Sequence, residues 1–218
     1  MFTTVTVGRF DEADAAQVSK ILQGFDETSA PTLPQLRRRQ FFSYCGLWVH
    51  VQDFAATPTP AVVAALAPLT VELSAYLRPY VAEDPAATEP LDDQLATRFY
   101  LWPGDQLPDV ESVHSGVIVN AVAPEDEPEV ARIFAEFDAT GYQHKMGTLR
   151  RQVLSYRGIY LHLQDFANPD SKEVIGDTWK QSDPIFLQIV ADLTPIVPPY
   201  DPAGGQLATR TYHWAATS

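Results

Sequence analysis

Cysteine is almost missing from this 218-residue sequence. The single cysteine, Cys45, can form no internal disulfide, and the chain contains no Cys-x-x-Cys or Cys/His zinc pattern. The N-terminus lacks a basic segment followed by an apolar run, and no stretch approaches the roughly 20 apolar residues that span a bilayer. These absences predict a reducing, cytoplasmic setting, no membrane partner and no structural metal.

Positive charge is also scarce. The chain has 15 Lys and Arg against 28 Asp and Glu, a formal net charge of −13, so it should repel phosphate backbones and bind no nucleic acid. The few basic residues cluster at 37–39 and at 150–151. Such islands could hold an anionic or enol-rich ligand, or they could pair with carboxylates on solvated faces.

The sequence repeats itself. A shift of 112 positions takes Ile21 to Ile133 without a gap, and it superimposes three separate blocks. The matching blocks are 21–28 with 133–140, 38–55 with 150–167, and 94–102 with 206–214. We therefore predict a tandem duplication with repeats at 1–103 and 116–218 and a Pro- and Gly-containing linker at 104–115. Two fused copies indicate a pseudo-dimer within one chain, which is compatible with a monomer.

Each repeat predicts the order β-α-β-β-α-β. An alternating strand comes first, then an Ala-rich amphipathic helix, then a hairpin that turns at Gly46 or Gly158. A proline-interrupted helical region and a final strand follow. This is a ferredoxin-like α+β unit, a four-stranded antiparallel sheet with both helices on one face. We expect the two sheets to pack together as a pseudo-dimeric α/β barrel with a cavity between them.

Alternation separates the two faces of the second hairpin strand. The aliphatic face is expected to meet the helices: Leu47, Val49, Val51, Ile159, Leu161 and Leu163. The polar and aromatic face is expected to point toward the other sheet: Trp48, His50, Gln52, Tyr160, His162 and Gln164. A histidine and a glutamine kept in both repeats indicate a functional face, although satisfied interior histidines would give the same pattern.

The arginine pairs can reach these histidines. Arg38 and Arg39 point to opposite faces, so at most one of them per repeat can face the cavity. Because the turn at Gly46 places the two strands side by side, Arg39 and His50 could be near neighbours. Asp26 and Asp138 end the first helix of each repeat, either at the site or as solvated loop carboxylates.

Short motifs follow one another in the same order in both repeats. Phe-Asp-x-Thr (25–28, 137–140) precedes the Arg run, an aromatic-x-His triplet (48–50, 160–162) ends the hairpin, and Arg-x-Tyr-x-Trp (98–102, 210–214) forms the last strand. Repeat two also contains Ser182-Asp183-Pro184, Phe186, Pro195 and Pro199-Tyr200, of which repeat one keeps only Pro79-Tyr80. In order and spacing, the chain resembles the tetracenomycin-type aromatic polyketide cyclases, small ferredoxin-like proteins that normally dimerise.

The resemblance implies a cofactor-independent enzyme that acts on a small aromatic polyketide and takes part in antibiotic biosynthesis. The family's candidate catalytic groups fall on Asp26, Arg39, His50, Asp138, Arg151 and His162. Candidate substrate contacts are Phe25, Trp48, Gln52, Phe137, Tyr160 and Gln164. Phe25 and Phe137 replace a family histidine, so no acid/base role can be carried over to those positions.

The implied reaction is an intramolecular aldol condensation followed by dehydration. Histidine would serve as base and then acid, arginine would stabilise the enolate or phenolate oxygen, and the aromatic side chains would hold the chain in one reactive conformer. Three alternatives remain open from the sequence. They are a cofactor-free monooxygenase acting on anthrones, a non-catalytic ligand-shaping member of a biosynthetic complex, and a purely structural duplicated barrel.

Overall fold

The two repeats fold into matching series of strands and helices. The computed structural model describes residues 1–29, 33–80, 94–102, 113–197 and 205–216. Repeat one contains β1 (Phe2–Phe10), α1 (Ala15–Ser29), β2 (Leu36–Tyr44), β3 (Leu47–Phe54), α2 (Pro60–Leu73), β4 (Leu77–Pro79) and β5 (Thr97–Trp102). Repeat two contains β6 (His114–Ala121), α3 (Glu127–Ala139), α4 (Tyr142–Lys145), β7 (Thr148–Tyr156), β8 (Ile159–Phe166), α5 (Ser171–Gln181), α6 (Pro184–Leu193) and β9 (Thr209–Ala215). Most of the predicted linker, 104–112, lies outside the described residues.

These elements form two antiparallel sheets, which confirms the α+β prediction. The first sheet has the order β4-β1-β3-β2-β9, and the second has the order β5-β7-β8-β6. Each hairpin turns through two residues of positive φ: Cys45 (48°) and Gly46 (75°) in one, Arg157 (48°) and Gly158 (80°) in the other. Such turns match the twist of the flanking strands, as the glycine signal predicted.

The last strands of the two repeats are exchanged. β9, from repeat two, pairs with β2 of repeat one, and β5, from repeat one, pairs with β7 of repeat two. The first compact unit therefore comprises residues 1–96 and β9, and the second comprises residues 97–208. The expectation that each repeat closes its own sheet was wrong, because 94–98 and 206–210 are identical and their pattern cannot specify which β2-type strand they join. The repeat bounds themselves, 1–103 and 116–218, stay predictions.

The helices of the first unit pack on one face of its sheet. Val18, Ile21 and Leu22 of α1 are buried against Phe41 and Trp48, as the helical spacing predicted. Leu69 and Leu73 of α2 join the same cluster. Both helices therefore cover the sheet face that carries Trp48.

The proline-interrupted region behaves differently in the two repeats. In repeat one, α2 runs without a break through Pro68. In repeat two, Ser182 takes a left-handed conformation (φ 50°) between α5 and α6, and Pro184 is the first residue of α6. A proline is tolerated at the first position of a helix because its missing N–H would have no partner there.

A buried ion pair lies on the other face of each sheet. Arg38 binds Asp53 with 2.6 Å between Nη2 and Oδ2, and both side chains are fully buried. Thr3 also donates a hydrogen bond to Asp53, at 2.5 Å. Arg150 and Asp165 repeat this pair in the second unit, with 2.7 Å between Nε and Oδ2. Arg38 therefore does not line the site, as strand alternation predicted.

Within the described residues, no helix combines the length and the apolar character that a membrane crossing requires.

Candidate functional site

A cavity of about 330 Å³ lies between the sheet and α2 in the first unit. Arg39, Trp48, His50 and Gln52 line it from the sheet. The α2 wall is mostly aliphatic and small: Val63, Ala64, Leu66, Ala67, Leu69, Thr70 and Leu73. The cavity thus combines an apolar envelope with a few convergent polar groups, the usual composition of a small-molecule site.

The second unit has an equivalent but smaller cavity of about 100 Å³. Arg151, Tyr160, His162 and Gln164 line it from the sheet. Helices α3, α5 and α6 close it with bulky residues, among them Phe134, Trp179, Phe186 and Leu193. Trp179 stands where the shift of 112 places Ala67 of the first unit, so one indole accounts for part of the lost volume.

The position of both cavities corrects the face assignment made from the sequence. His50, His162 and their neighbours face the helices of their own unit, whereas the prediction placed them toward the other sheet. The prediction followed hydropathy alone. The arginine on this face forms an ion pair with an aspartate of the first helix. That helix must therefore cover the polar face rather than the aliphatic one. The predicted orientation of these side chains is therefore wrong, and the cavity that they line in each unit lies between the sheet and the helices of that unit.

Four side chains form a buried cluster in the first unit. Arg39 Nε donates to both carboxylate oxygens of Asp26, at 3.0 Å each, and Arg39 Nη1 lies 3.1 Å from Nε2 of His50. The Tyr212 hydroxyl donates to Asp26 Oδ2 at 2.9 Å. Phe25 lies under the guanidinium, 5.5 Å from the ring centroid to Cζ. Asp26 is 1% exposed within α1, so the solvated-loop alternative is wrong.

The second unit contains the equivalent cluster, but its arginine uses different guanidinium nitrogens to bind the aspartate and the histidine. Arg151 donates from Nη1 to Asp138 Oδ1 and from Nε to His162 Nε2, the latter at 3.1 Å. Tyr100 donates to Asp138 Oδ2 at 2.7 Å, and Gln143 Nε2 donates to the Asp138 backbone oxygen at 2.6 Å. Phe134 and Phe137 lie 5.0 and 5.1 Å from Arg151 Cζ.

The arginine fixes the tautomer of each histidine. A guanidinium has no acceptor, so Nε2 of His50 and of His162 must accept, and the ring proton of the neutral form sits on Nδ1. Burial, assisted by the neighbouring Arg39 or Arg151 charge, lowers the pKa of both histidines well below 6.5. Both imidazoles are therefore neutral near pH 7.

Burial acts on the other members of the clusters as well. It raises the pKa of Asp26 and of Asp138 from their ordinary values, against the opposing effects of the arginine and the tyrosine. It lowers the pKa of Arg39 and Arg151, which their aspartates oppose. In each cluster, mutual attraction and hydrogen bonds offset only part of the desolvation of two buried charges.

One hydrogen-bond donor of the first cluster has no acceptor among the described residues. Arg39 Nη2 is buried and has no hydrogen-bond partner in the part of the chain that the structure describes, although Arg39 forms part of the cavity wall. A buried polar group without a partner costs about 1–3 kcal/mol, and more when it is charged. An oxygen atom of a ligand in the cavity would satisfy it.

The other residues predicted to contact substrate fall into two groups. Trp48, Gln52, Phe137, Tyr160 and Gln164 line the cavities. Gln164 is tied by its amide nitrogen to Thr148 Oγ1 at 2.9 Å, which holds that side chain in place. Phe25 contacts Arg39 rather than forming part of the described cavity wall. Among the described residues, no group of three or more His, Cys, Asp or Glu side chains is arranged to hold a metal ion.

Sequence reasoning missed two sets of residues. Tyr100 and Tyr212 complete the clusters, but their identity in both repeats gave no hint that each joins the opposite unit. The α2, α5 and α6 side chains that shape the cavities were missed because the helices were assigned to the aliphatic face. Pro199 and Tyr200, which belong to the quoted motif, lie outside the described residues.

The fold and the motifs agree with the comparisons to known proteins. The model of the polyketide synthesis cyclase family matches residues 2–103 and again 114–215. An uncharacterized protein of Streptomyces coelicolor is 33% identical over 111 residues, covering 48% of this chain and 97% of that protein.

Two solved structures illustrate the similarity. A protein of Lactobacillus acidophilus, provisionally named a monooxygenase, shares the fold with a TM-score of 0.55 at 9% identity, over 98% of this chain and 95% of that one. Tetracenomycin F2 cyclase of Streptomyces glaucescens, a type II polyketide cyclase, is 24% identical over 48% of this chain and all of that one, with a TM-score of 0.38. Because the family model matches both repeats nearly end to end, the chain belongs to the polyketide synthesis cyclase family as a tandem duplication.

Proposed function

We propose that the first unit closes a ring of an aromatic polyketide intermediate by intramolecular aldol condensation and loss of water, without a cofactor. The observation that carries this proposal is that Arg39, which lines an apolar cavity next to a neutral His50, has a buried Nη2 without a hydrogen-bond partner among the described residues. The family assignment supplies the substrate class. The cluster supplies the chemistry that such a substrate requires.

Arg39 is assigned to the enolate oxygen. Each α-carbon of a poly-β-ketone lies between two carbonyls, so its proton is acidic and the enolate is accessible. A fixed guanidinium N–H in a site of low dielectric stabilises the developing negative charge far more than water does. Asp26 holds Arg39 in place through Nε, which leaves Nη2 for the substrate.

His50 is assigned to the carbonyl that the enolate carbon attacks. Its Nε2 is occupied by Arg39, so the neutral ring presents Nδ1–H as a donor rather than Nε2 as a base. As the carbon–carbon bond forms, the carbonyl oxygen becomes an alkoxide and takes up a proton. His50 donates that proton and recovers it from solvent, which receives the α-proton. The hydroxyl then leaves as water when the ring aromatises.

We assign to the cavity wall the role of holding the substrate in a folded conformation. Trp48 and the aliphatic side chains of α2 present mostly apolar surface to the flexible chain and restrict it to compact conformers. We assign turnover to the first unit because its cavity holds about 330 Å³ against about 100 Å³ in the second.

The experiment is product formation from a synthetic poly-β-ketone aromatic precursor, followed by mass spectrometry. The wild-type chain should yield a product that is lighter by one water. Arg39→Lys should lower kcat by about 100-fold, the usual effect of losing an oxyanion donor. Arg151→Lys is the matched control and should lower it far less. Equal losses, or a loss with Arg151→Lys alone, would contradict the assignment.

A second candidate is a cofactor-free monooxygenase that oxidises an anthrone to a quinone. We include this candidate because the chain shares its fold with a protein that is named a monooxygenase. Oxygen uptake with a model anthrone distinguishes the two, since the cyclase reaction consumes no oxygen. Oxygen uptake that is lost when His50 is substituted would favour the monooxygenase and contradict the cyclase proposal. Full cyclisation by a chain lacking both histidines and both cluster arginines would instead favour a non-catalytic role.

A further inference from the structure

The exchanged strands bring one tyrosine into each buried cluster. Tyr212 lies on β9, opposite Phe41 of β2, and its hydroxyl donates to Asp26 Oδ2 at 2.9 Å. Tyr100 lies on β5, opposite Val153 of β7, and its hydroxyl donates to Asp138 Oδ2 at 2.7 Å. Each carboxylate thus receives a phenol from the last strand of the other repeat.

The hydrogen bond to the aspartate is what distinguishes a tyrosine from a phenylalanine at this position. The tyrosine ring packs beside the core of its unit, which a phenylalanine would also do, whereas the hydroxyl's hydrogen bond within the described part of the chain is to the aspartate. Burial and the adjacent carboxylate raise the pKa of both tyrosines above 10, so each phenol stays protonated and can only donate to the ionised carboxylate. On β9, the flanking residues Thr211 and His213 differ from Phe99 and Leu101 of β5, while the tyrosine is the same.

The hydrogen bond constrains the aspartate, and through it the arginine. Asp26 accepts two bonds from Arg39 Nε and one from Tyr212. The three bonds fix the plane of the carboxylate, which in turn fixes the guanidinium that reaches His50. Without the phenol, the carboxylate can rotate, and Arg39 loses its orientation toward the cavity.

We propose that Tyr212 and Tyr100 are positioning residues, each supplied by one repeat to complete the Asp–Arg–His cluster of the other. The assignment rests on the proposed function for its kinetic consequence, but not for its structural one. It predicts that neither repeat contains a complete cluster by itself. The duplication therefore does more than place two copies in one chain.

The test compares Tyr212→Phe with Thr211→Val in the full chain. Thr211 lies on the same strand but bonds the Phe41 backbone oxygen and does not touch the cluster. Tyr212→Phe should lower kcat by about tenfold with little change in KM, the effect of removing one hydrogen bond to a charged group. The acid limb of the pH–rate profile should move to higher pH, because the phenol helps to keep Asp26 ionised. Thr211→Val should change neither.

A second measurement does not depend on turnover. NMR titration of the carboxyl carbons of labelled aspartate should show the Asp26 pKa rising in Tyr212→Phe and staying fixed in Thr211→Val. Tyr100→Phe should shift Asp138 and leave Asp26 unchanged. If the wild-type chain closes no ring, the proposed function fails while this titration still decides the tyrosine assignment. An unchanged Asp26 pKa, or an unchanged pH–rate profile in an active chain, would overturn it.

Discussion

Arg39 Nη1 donates to His50 Nε2 across 3.1 Å, and this contact determines which ring nitrogen carries the proton. The histidine was predicted from the sequence as a base that later acts as an acid. With Nε2 occupied by a donor, the neutral ring offers a proton from Nδ1 instead. A neutral imidazole can polarise a carbonyl in this way without being charged itself.

Protonation of the two buried histidines should destabilise the chain. Their pKa lies well below 6.5 in the folded state, because of burial and the adjacent arginines, and near 6.5 when unfolded. The unfolded chain therefore binds more protons as pH falls below about 6.5, and stability is lost in that direction. The slope is at most about 1.4 kcal/mol per pH unit for each histidine.

Urea unfolding between about pH 7.5 and pH 5.5 measures this dependence. The double variant His50→Gln, His162→Gln is the control, because a glutamine oxygen can still accept from the arginine but does not titrate. Subtracting its profile removes the carboxylates, which both chains share. A wild-type profile that is no steeper than that of the double variant would show that the histidines do not titrate as described.

The size of the cavity should determine which unit catalyses the reaction. Ala67→Trp introduces into the first cavity the indole that Trp179 supplies in the second. We expect it to lower kcat/KM by about 100-fold or more by excluding the substrate, with the cluster untouched. Trp179→Ala is the reciprocal variant and should leave the first unit's reaction unchanged. Strong loss with Trp179→Ala and none with Ala67→Trp would move the site to the second unit.

The Arg38–Asp53 pair should matter for stability rather than for turnover. Asp53→Asn leaves a fully buried arginine without its carboxylate, which should cost about 3–5 kcal/mol of unfolding free energy. Asp177→Asn breaks the exposed Lys180–Asp177 pair and should cost far less, because solvent screens that pair. Chemical denaturation of the two variants gives both values. Similar costs would mean that burial does not strengthen the dependence on the ion pair.

The duplication, the element order and the Asp, Arg and His members of the clusters were predictable from the sequence. Periodicity identifies α1 and the hairpins, since Val18, Ile21 and Leu22 repeat at helical spacing and Gly46 and Gly158 mark the turns. Cross-strand spacing predicts that Arg39 meets His50, which the structure shows at 3.1 Å.

Two features required information that a local pattern does not contain. The exchange of β5 and β9 is a choice between two partners, β2 and β7, that share five of nine residues, and it depends on the whole chain. The face that the helices cover depends on Asp26 reaching Arg39, a contact between a helix and a strand that hydropathy does not encode. Both errors concern long-range pairing: the face error displaced the predicted site, and the strand exchange hid the two tyrosines that complete the clusters.

The most direct test of the account is a crystal structure of the chain with a dihydroxyanthraquinone, a stable analogue of an aromatised polyketide. The account predicts the ring system between the first sheet and α2, with a ligand oxygen about 3 Å from Arg39 Nη2 and a second near His50 Nδ1. A ligand bound only on the face that carries Val49 and Val51, with the cavity beside Arg39 left empty, would contradict it.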